Sequence, residues 1–493
     1  MPEWLAARAR SGGDHLALRS GAVDLTFAAL DLRAAALARR LEAAGVRPST
    51  RVAALMHNGA PFVILMHAVA RAGGIFVPLN TRLAPVELTW QLADAKVEIV
   101  VATADLVDRA AAAAAESRRA RVMSWEEIRP GADAGGDREH RQSRTVRLAD
   151  PQAIVYTSAT SGRPKGVMLS FGNHWWSAVG SVLNLGLHRD DRWLAPLPLY
   201  HVGGMSILWR SVIYGMTAVV LERFDPAEVN RAIDEDGVTI ASVVSTMLQR
   251  MLDVRGDRQY PAALRAVLLG GGPASPALIE RCLALGVPVA PTYGLTEAAS
   301  QVATLLPDEV RRRRGSAGRP LLPNEVRVDN GEILVRGPAV MMGYADRPDA
   351  TARVLTDGWL RTGDLGYLDE DGYLYVLDRR EDLVISGGEN IYPAEVEAVL
   401  REHPAVDDAA VAGLPDATWG QVAAAAVVCR PGASVSEAAL IAHCEARLAR
   451  YKVPRMIAFV ADLPRSSGGK ILRLAAVAQM GPAEVSDAPA GSL

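Results

Sequence analysis

Short apolar runs alternate with helix-patterned stretches along most of this 493-residue chain, and that alternation narrows the fold more than any other feature. Over 26–44, Leu30, Ala34, Leu37 and Leu41 recur at helical spacing, and Gly45 suits a C-terminal cap. A strand over 52–56, a helix over 61–72, a strand over 75–79, a helix over 86–93 and a strand over 98–102 follow. Strands this short and this continuously apolar are buried on both faces, the pattern of a mainly parallel sheet covered by helices. The alternation resumes through 217–221, 226–235, 239–244, 247–254, 266–269 and 287–290. From Gly331 it gives way to short strands with tight turns, 332–335 and 373–377, and Asp369–Gly372 reads as a hairpin turn. A chain of this length exceeds one ordinary core. The expectation is a large α/β N-terminal domain over 1–377, with mainly parallel sheets and a small β-rich subdomain over 331–377. A hinge at 378–380, a small mobile α+β C-terminal domain over 381–475 and a disordered tail over 476–493 complete it. Residues 129–147, rich in Gly, Asp and Arg, read as a mobile surface connection.

Composition removes several functions. A net charge of −3 gives no general attraction to nucleic acid or anionic membrane. No apolar run reaches the ~18 residues of a membrane span, and the N-terminus lacks the basic-then-apolar order of a signal peptide. Cys282, Cys429 and Cys444 are odd in number and far apart, which fits a reducing cytoplasm and no metal-ligand spacing. Arg311–Arg314 reads as a solvated charge run.

The chemistry concentrates elsewhere. Between Tyr156 and Ser170 stand the hydroxyls of Thr157, Ser158, Thr160 and Ser161, the glycines Gly162 and Gly166, and Lys165. Hydroxyls and free N–H groups donate to phosphate oxygens, and a lysine supplies a point charge. Pro164 before Lys165 and Gly166 after it exclude a Walker loop. The plain alternative is a polar surface turn. Residues 171–187 then read as a helix whose stripe of Trp175, Trp176, Val179 and Leu183 packs into the core. Pro196–Met205 is a Pro- and Gly-dense loop carrying His201, which lines a pocket or is structural on about even terms. Two predicted strand ends run into Gly270-Gly271-Gly272-Pro273 and Thr292-Tyr293-Gly294-Leu295-Thr296-Glu297. Ligands bind beyond the carboxyl ends of strands in such sheets. There the glycines admit a flat ring, Tyr293 offers a face, Thr296 a donor and Glu297 a hard oxygen for Mg²⁺. Asp364 offers a carboxylate for a ribose, and Lys470 follows a Gly-containing loop able to swing it into a cleft.

Four stretches together resemble the adenylate-forming superfamily of acyl-CoA synthetases, luciferases and adenylation domains: 156–166, 293–297, 362–364 with Asp378-Arg379, and 467–470. Finer features, Phe171–Trp175, His201–Gly215 and Glu297–Gln301, resemble its o-succinylbenzoate–CoA ligase branch, which serves menaquinone biosynthesis. The resemblance implies an AMP-forming ligase that joins a small carboxylic acid to coenzyme A with ATP and Mg²⁺. The alternatives are a fatty or aryl acid–CoA ligase, or a stand-alone adenylation domain loading a carrier protein. By carry-over, Thr157, Ser158, Thr160, Ser161, Gly162 and Lys165 meet the β- and γ-phosphates. Gly270–Pro273, Tyr293 and Gly294 hold adenine, Thr296 meets the α-phosphate, and Asp364 with Arg379 holds the ribose. Glu297 takes the metal, Gly387 and Gly388 line the CoA path, and Lys470 is catalytic. His201 is a candidate both for catalysis and, with Ser300 and Gln301, for recognising the acid; Arg210 is a further candidate that reads equally as a surface or structural residue. One departure stands out: Ala159 replaces the family's usual middle glycine in the phosphate loop. The oligomeric state is left open, a homodimer among the options.

Overall fold

The computed structural model describes residues 1–117, 119–131, 145–157, 164–272, 274, 276–379, 383–464, 471, 473–478 and 480, apart from the side chains of 276, 277, 377–379 and 394. Most of the predicted 129–147 connection therefore lies outside the described residues. The described residues divide into two compact units, one within 1–379 and the other within 383–480.

The larger unit holds three sheets. One has nine strands in the order Arg319–Pro320, Ser300–Thr304, Val289–Leu295, Ala266–Leu269, Ile240–Val243, Arg192–Ala195, Thr217–Val220, Leu16–Ser20 and Val23–Thr26. Its central pairings are parallel and its ends antiparallel. A seven-stranded sheet runs Gly343–Tyr344, Lys165–Ser170, Pro151–Thr157, Ile75–Pro78, Arg51–Leu55, Ile99–Ala102 and Arg121–Ser124. Its pairings are parallel from Pro151–Thr157 onward. Helices such as Phe27–Ala43 and Ala60–Ala72 bury Leu30, Leu37, Leu41, Phe62 and Leu65 against these sheets. The third sheet, five-stranded and antiparallel, joins Glu325–Asp329, Glu332–Arg336, Trp359–Leu368, Leu355–Thr356 and Leu374–Arg379.

Three expectations change. The helix Phe171–Leu185 is rotated from the apolar stripe read in sequence: Leu183 is 64% exposed, while His174, Ser177, Ala178 and Ser181 face inward. Trp175 packs only partly against the core. On this face Ser177 donates to Ala299 O at 2.7 Å, and the His174 ring packs against that of Trp209 on the helix Val202–Tyr214, centroids 5.8 Å apart. Second, the loop expected over Pro196–Met205 stops at His201, and Val202–Tyr214 is helical. Gly204 belongs to the first turn of that helix, where a Cβ would come within 2.5 Å of Pro198 O, so glycine here permits close packing rather than a loop. Third, the strand expected over 287–290 is Val289–Leu295, so Thr292 to Leu295 is sheet rather than turn.

The smaller unit is a five-stranded sheet of Glu389–Ile391, Val384–Ser386, Gly420–Cys429 and Val406–Asp416, with Met456–Phe459 parallel to Gly420–Cys429. The helices Pro393–Glu402 and Glu437–Glu445 cover it, burying Val396, Leu400 and Leu440. Two buried carboxylates are paired with cations inside it. Lys452 Nζ meets Glu395 Oε1 at 2.8 Å. Arg473 forks onto Glu397 at 2.6 and 2.8 Å, and Val411 N–H donates to the same carboxylate at 2.9 Å. The first residues of the tail predicted to be disordered are helical instead: Arg473–Ala478 buries Ala476 and Val477. Residues 481–493 lie outside the described residues.

Candidate functional site

Two antiparallel strands flank the predicted phosphate loop in sequence. Pro151–Thr157 and Lys165–Ser170 pair so that Thr157 stands opposite Lys165. Tyr156 anchors the hairpin, donating its hydroxyl to Asp94 Oδ2 at 2.8 Å on a neighbouring helix. Burial and the adjacent Asp94 push that phenol far above its usual range, so it stays a donor. Ser158, Thr160, Ser161 and Gly162, like Pro273 and Lys470, lie outside the described residues.

From this hairpin the site builds outward. The strand Gly343–Tyr344 adds antiparallel to Lys165–Ser170 and brings Tyr344 beside Lys165. The Lys165 ammonium stands 5.0 Å from the centre of the Tyr344 ring. The Tyr344 hydroxyl donates to Glu297 Oε1 at 3.1 Å. Lys165 and Glu297 thus share one phenol between them. Burial lowers the Lys165 pKa; Glu297 opposes that shift, and Arg353 and Arg347 deepen it. Glu297 belongs to the single 3₁₀ turn Thr296–Ala298 that follows the strand Val289–Leu295, and its carbonyl accepts Met341 N–H at 2.8 Å.

Further back on the same strand, the buried Tyr293 donates its hydroxyl to Asp364 Oδ2 at 2.6 Å. Asp364 and Arg379 are register partners on adjacent strands. Gly270 to Gly272 follow the strand Ala266–Leu269, whose Leu269 pairs with Pro291 two residues before Tyr293. The candidates Lys165, Gly270–Gly272, Tyr293, Thr296, Glu297 and Asp364 therefore lie on, or just beyond, strands linked by these contacts. Gly294 is pressed against the carbonyl of Ser300, where a Cβ would overlap backbone.

Three of the acid-recognition candidates, Ser300, Gln301 and Arg210, lie at or behind the turn after Glu297. Ala299 and Ser300 both have positive φ, 51° and 106°, a strained backbone of the kind that gathers at functional sites. Ser206, on the helix Val202–Tyr214, approaches Ser300 hydroxyl to hydroxyl at 3.4 Å. One turn on, Arg210 donates to Ser177 Oγ at 3.4 Å, and Ser177 holds Ala299 O. Arg210 is 2% exposed, lies 5.1 Å from the Trp193 ring centre and forms no ion pair with the described residues. Burial lowers its pKa, yet a guanidinium stays charged at neutral pH. Gln301 is buried with its amide directed at Thr304 Oγ1, 3.1 Å away, so it backs the turn. His201 occupies the N-cap position of Val202–Tyr214, its ring 4.7 Å from that of Tyr200. Asn58 fixes the approach to it, bonding Leu197 O at 2.9 Å and Leu199 N–H at 2.8 Å. In the smaller unit, Gly387 and Gly388 form the turn between Val384–Ser386 and Glu389–Ile391, and Gly387 N–H donates to Trp419 O at 2.9 Å.

Sequence reasoning missed Tyr344, Ser177, Ser206 and Asn58. Ser206 lies within the His201–Gly215 stretch but was not singled out there; Tyr344, Ser177 and Asn58 sit in no quoted motif and enter only through the way distant segments pack. The four arginines of 311–314 are engaged more than expected: Arg313 pairs with Asp369 and Asp371, Arg314 with Glu280, and Arg311 with Leu283 O. Among the described residues no group of three or more His, Cys, Asp or Glu could cage a metal. One carboxylate completed by phosphate oxygens is, however, a usual arrangement for Mg²⁺, and Glu297 fits it. No described helix is long and apolar enough to cross a membrane.

Comparison with known proteins agrees with this arrangement. Residues 5–345 match the AMP-binding enzyme family, and 395–470 match the AMP-binding enzyme C-terminal domain. The chain is 46% identical to a 2-succinylbenzoate–CoA ligase of a Geobacillus strain over 96% of each chain. It is 48% identical, with the same coverage, to that of Geobacillus kaustophilus. Among solved structures it is similar to a double mutant of Bacillus subtilis o-succinylbenzoate CoA synthetase bound with its product analogue. There the TM-score is 0.90 at 40% identity, covering 97% of this chain and 98% of the other. The B. subtilis enzyme in complex with ATP and magnesium gives a TM-score of 0.73 at 39% identity over 97% and 99%. With near-full-length identity of this order and the linked strands described above, the chain belongs to the adenylate-forming AMP-binding enzymes, in their 2-succinylbenzoate–CoA ligase branch.

Proposed function

We propose that this protein is an ATP-dependent acid–CoA ligase whose acid is 2-succinylbenzoate, acting in menaquinone biosynthesis within a reducing cytoplasm. The observation that carries this reading is the pair of contacts that links Lys165 through Tyr344 to Glu297, and Tyr293 to Asp364, along adjoining strands. It supports one nucleotide lying across them: adenine against Gly270–Pro273, Tyr293 and Gly294, and ribose on Asp364 and Arg379. The α-phosphate then meets Thr296, and the outer phosphates meet Thr157, Ser158, Thr160, Ser161, Gly162 and Lys165.

Two displacements follow. An oxygen of the acid's carboxylate attacks the α-phosphorus, the bond to the β-phosphate oxygen breaks, and pyrophosphate leaves with that electron pair. The CoA thiolate then adds to the acyl carbon, and AMP leaves with the electrons of the carbon–oxygen bond. No enzyme nucleophile is needed; positioning and charge neutralisation carry the first step. Mg²⁺, bound with ATP, neutralises charge on the departing phosphates, and Glu297 is the residue that would hold it. Lys470 supplies a cation between the attacking carboxylate and the α-phosphate, where charge develops. Turning the 381–475 domain about 378–380 withdraws Lys470 and brings Gly387 and Gly388 to the pantetheine path.

The acid carries two carboxylates, one of which does not react. Arg210, a buried cation with no ion-pair partner among the described residues, meets the spectator carboxylate behind the turn of Ser300 and Gln301. His201 orients the acid from the helix start. The test is pyrophosphate release over a panel of carboxylic acids, followed by CoA-dependent release of AMP. The proposal requires 2-succinylbenzoate to lead the panel and CoA to be consumed. Preference for a fatty acid, or acyl-adenylate that CoA does not discharge, overturns it.

A further inference from the structure

Tyr344 stands between the two charges that the proposed reaction must keep apart. Its backbone leaves it little freedom: Tyr344 N–H donates to Thr351 Oγ1 at 2.9 Å, and Ala345 N–H donates to Gly166 O at 2.8 Å. The carbonyl of Glu297 is held by Met341 N–H, three residues earlier in the same segment. The phenol is therefore fixed relative to both the hairpin and the Thr296–Ala298 turn. One of its faces receives the Lys165 ammonium, and its hydroxyl donates to Glu297. Lys165 feels the field of Glu297, and a direct ion pair between them is the competing arrangement. Such a pair would occupy the carboxylate a cation needs and the ammonium a phosphate needs.

We propose that Tyr344 is a positioning residue for the metal–nucleotide complex, its hydroxyl aiming Glu297 at Mg²⁺ while its ring holds Lys165 ready for the phosphates. This rests on the reading of Glu297 as the metal ligand and Lys165 as a phosphate contact. Outer partners that orient a metal ligand typically contribute 10–100-fold in metal affinity, so about that change is expected from loss of the hydroxyl. A cation over an aromatic face gives up little on leaving it, which lets Lys165 move to phosphate when ATP arrives.

The test is calorimetric titration of the full chain with α,β-methylene-ATP, once in EDTA and once with Mg²⁺; the ratio of the two affinities is the metal-linked gain. Tyr344→Phe keeps the ring and loses the hydroxyl. It is expected to cut the metal-linked gain about 10–100-fold while leaving metal-free affinity unchanged. Tyr344→Leu loses ring and hydroxyl, and is expected to weaken metal-free binding as well. Paramagnetic resonance of Mn²⁺ in the nucleotide complex reads the metal directly, without turnover. A full metal-linked gain in Tyr344→Phe overturns the proposal. Glu297→Gln separates the two levels. If it abolishes the gain, the Tyr344 result judges this inference alone; if the gain survives, the metal-ligand reading falls and takes the inference with it.

Discussion

Replacing Arg210 with methionine separates a carboxylate reader from a structural strut. The guanidinium is buried at 2% exposure, and its described compensation is one long bond to Ser177, the neighbouring Tyr214 hydroxyl and the face of Trp193. A buried charge so poorly paired costs the fold free energy, and substitution by an apolar side chain of similar length stabilises by about 1–4 kcal/mol where buried ionic groups have been so replaced. The free protein should therefore melt no lower, and in all expectation higher, than the parent. Catalysis should move the other way. A hydrogen bond to a charged group contributes about 1.5–3 kcal/mol, so kcat/KM for 2-succinylbenzoate should fall roughly 10–150-fold. An analogue whose spectator carboxylate is a methyl ester cannot use the arginine and should lose nothing further. Pyrophosphate release with both acids, beside a thermal melt, makes the comparison. A lower melting temperature with equal losses on the two acids would refute the argument and leave Arg210 as a strut between the helices Phe171–Leu185 and Val202–Tyr214.

The other predictions concern protonation and the smaller unit. His174 is pushed down to about 3, first by burial and then by Arg210, from an ordinary 6.5. Between those values the unfolded chain binds a proton that the folded chain refuses, so stability falls as pH drops through the window. In urea unfolding from pH 7 toward 4, His174→Phe should remove up to about 1.4 kcal/mol per pH unit of that decline; an unchanged slope would contradict the burial. In the smaller unit, Arg473→Met strands Glu397, which is buried beneath it, and breaking such a pair costs about 3–5 kcal/mol. Hydrogen exchange in Pro393–Glu402 and Val406–Asp416 should accelerate accordingly, and unchanged protection would show the pair to be dispensable.

What was legible in the chain follows from where its information lies. Buried parallel strands are apolar at every position, so Arg51–Leu55, Ala266–Leu269 and Thr217–Val220 stood within a residue or two of their predicted bounds. Helix faces were harder. In Phe171–Leu185 the larger apolar residues drew the stripe toward Leu183, whereas the interior selected His174, Ser177 and Ser181, whose neighbours Trp209, Arg210, Tyr214 and Ala299 are distant in sequence. Glycines misled in the same way: Gly203 and Gly204 signal a loop by propensity, but Gly204 is there because Pro198 passes too close for a Cβ. Lys165, Tyr293, Glu297 and Asp364 were legible because each sits in a motif with a chemical purpose. Tyr344 was not, since a tyrosine in a two-residue strand carries no local mark; its role exists only once Gly343–Tyr344 is laid against Lys165–Ser170.

The central claim is that one nucleotide lies across these strands, and a crystal structure of the full chain with α,β-methylene-ATP and Mg²⁺ tests it most directly. The account predicts adenine beside Gly270–Gly272 and Tyr293, ribose hydroxyls on Asp364, and a Mg²⁺ ion sharing an oxygen of Glu297. It also predicts that Lys165 has left the Tyr344 ring for a phosphate oxygen. Nucleotide bound away from the Tyr293–Glu297 segment, or metal held without Glu297, would contradict it.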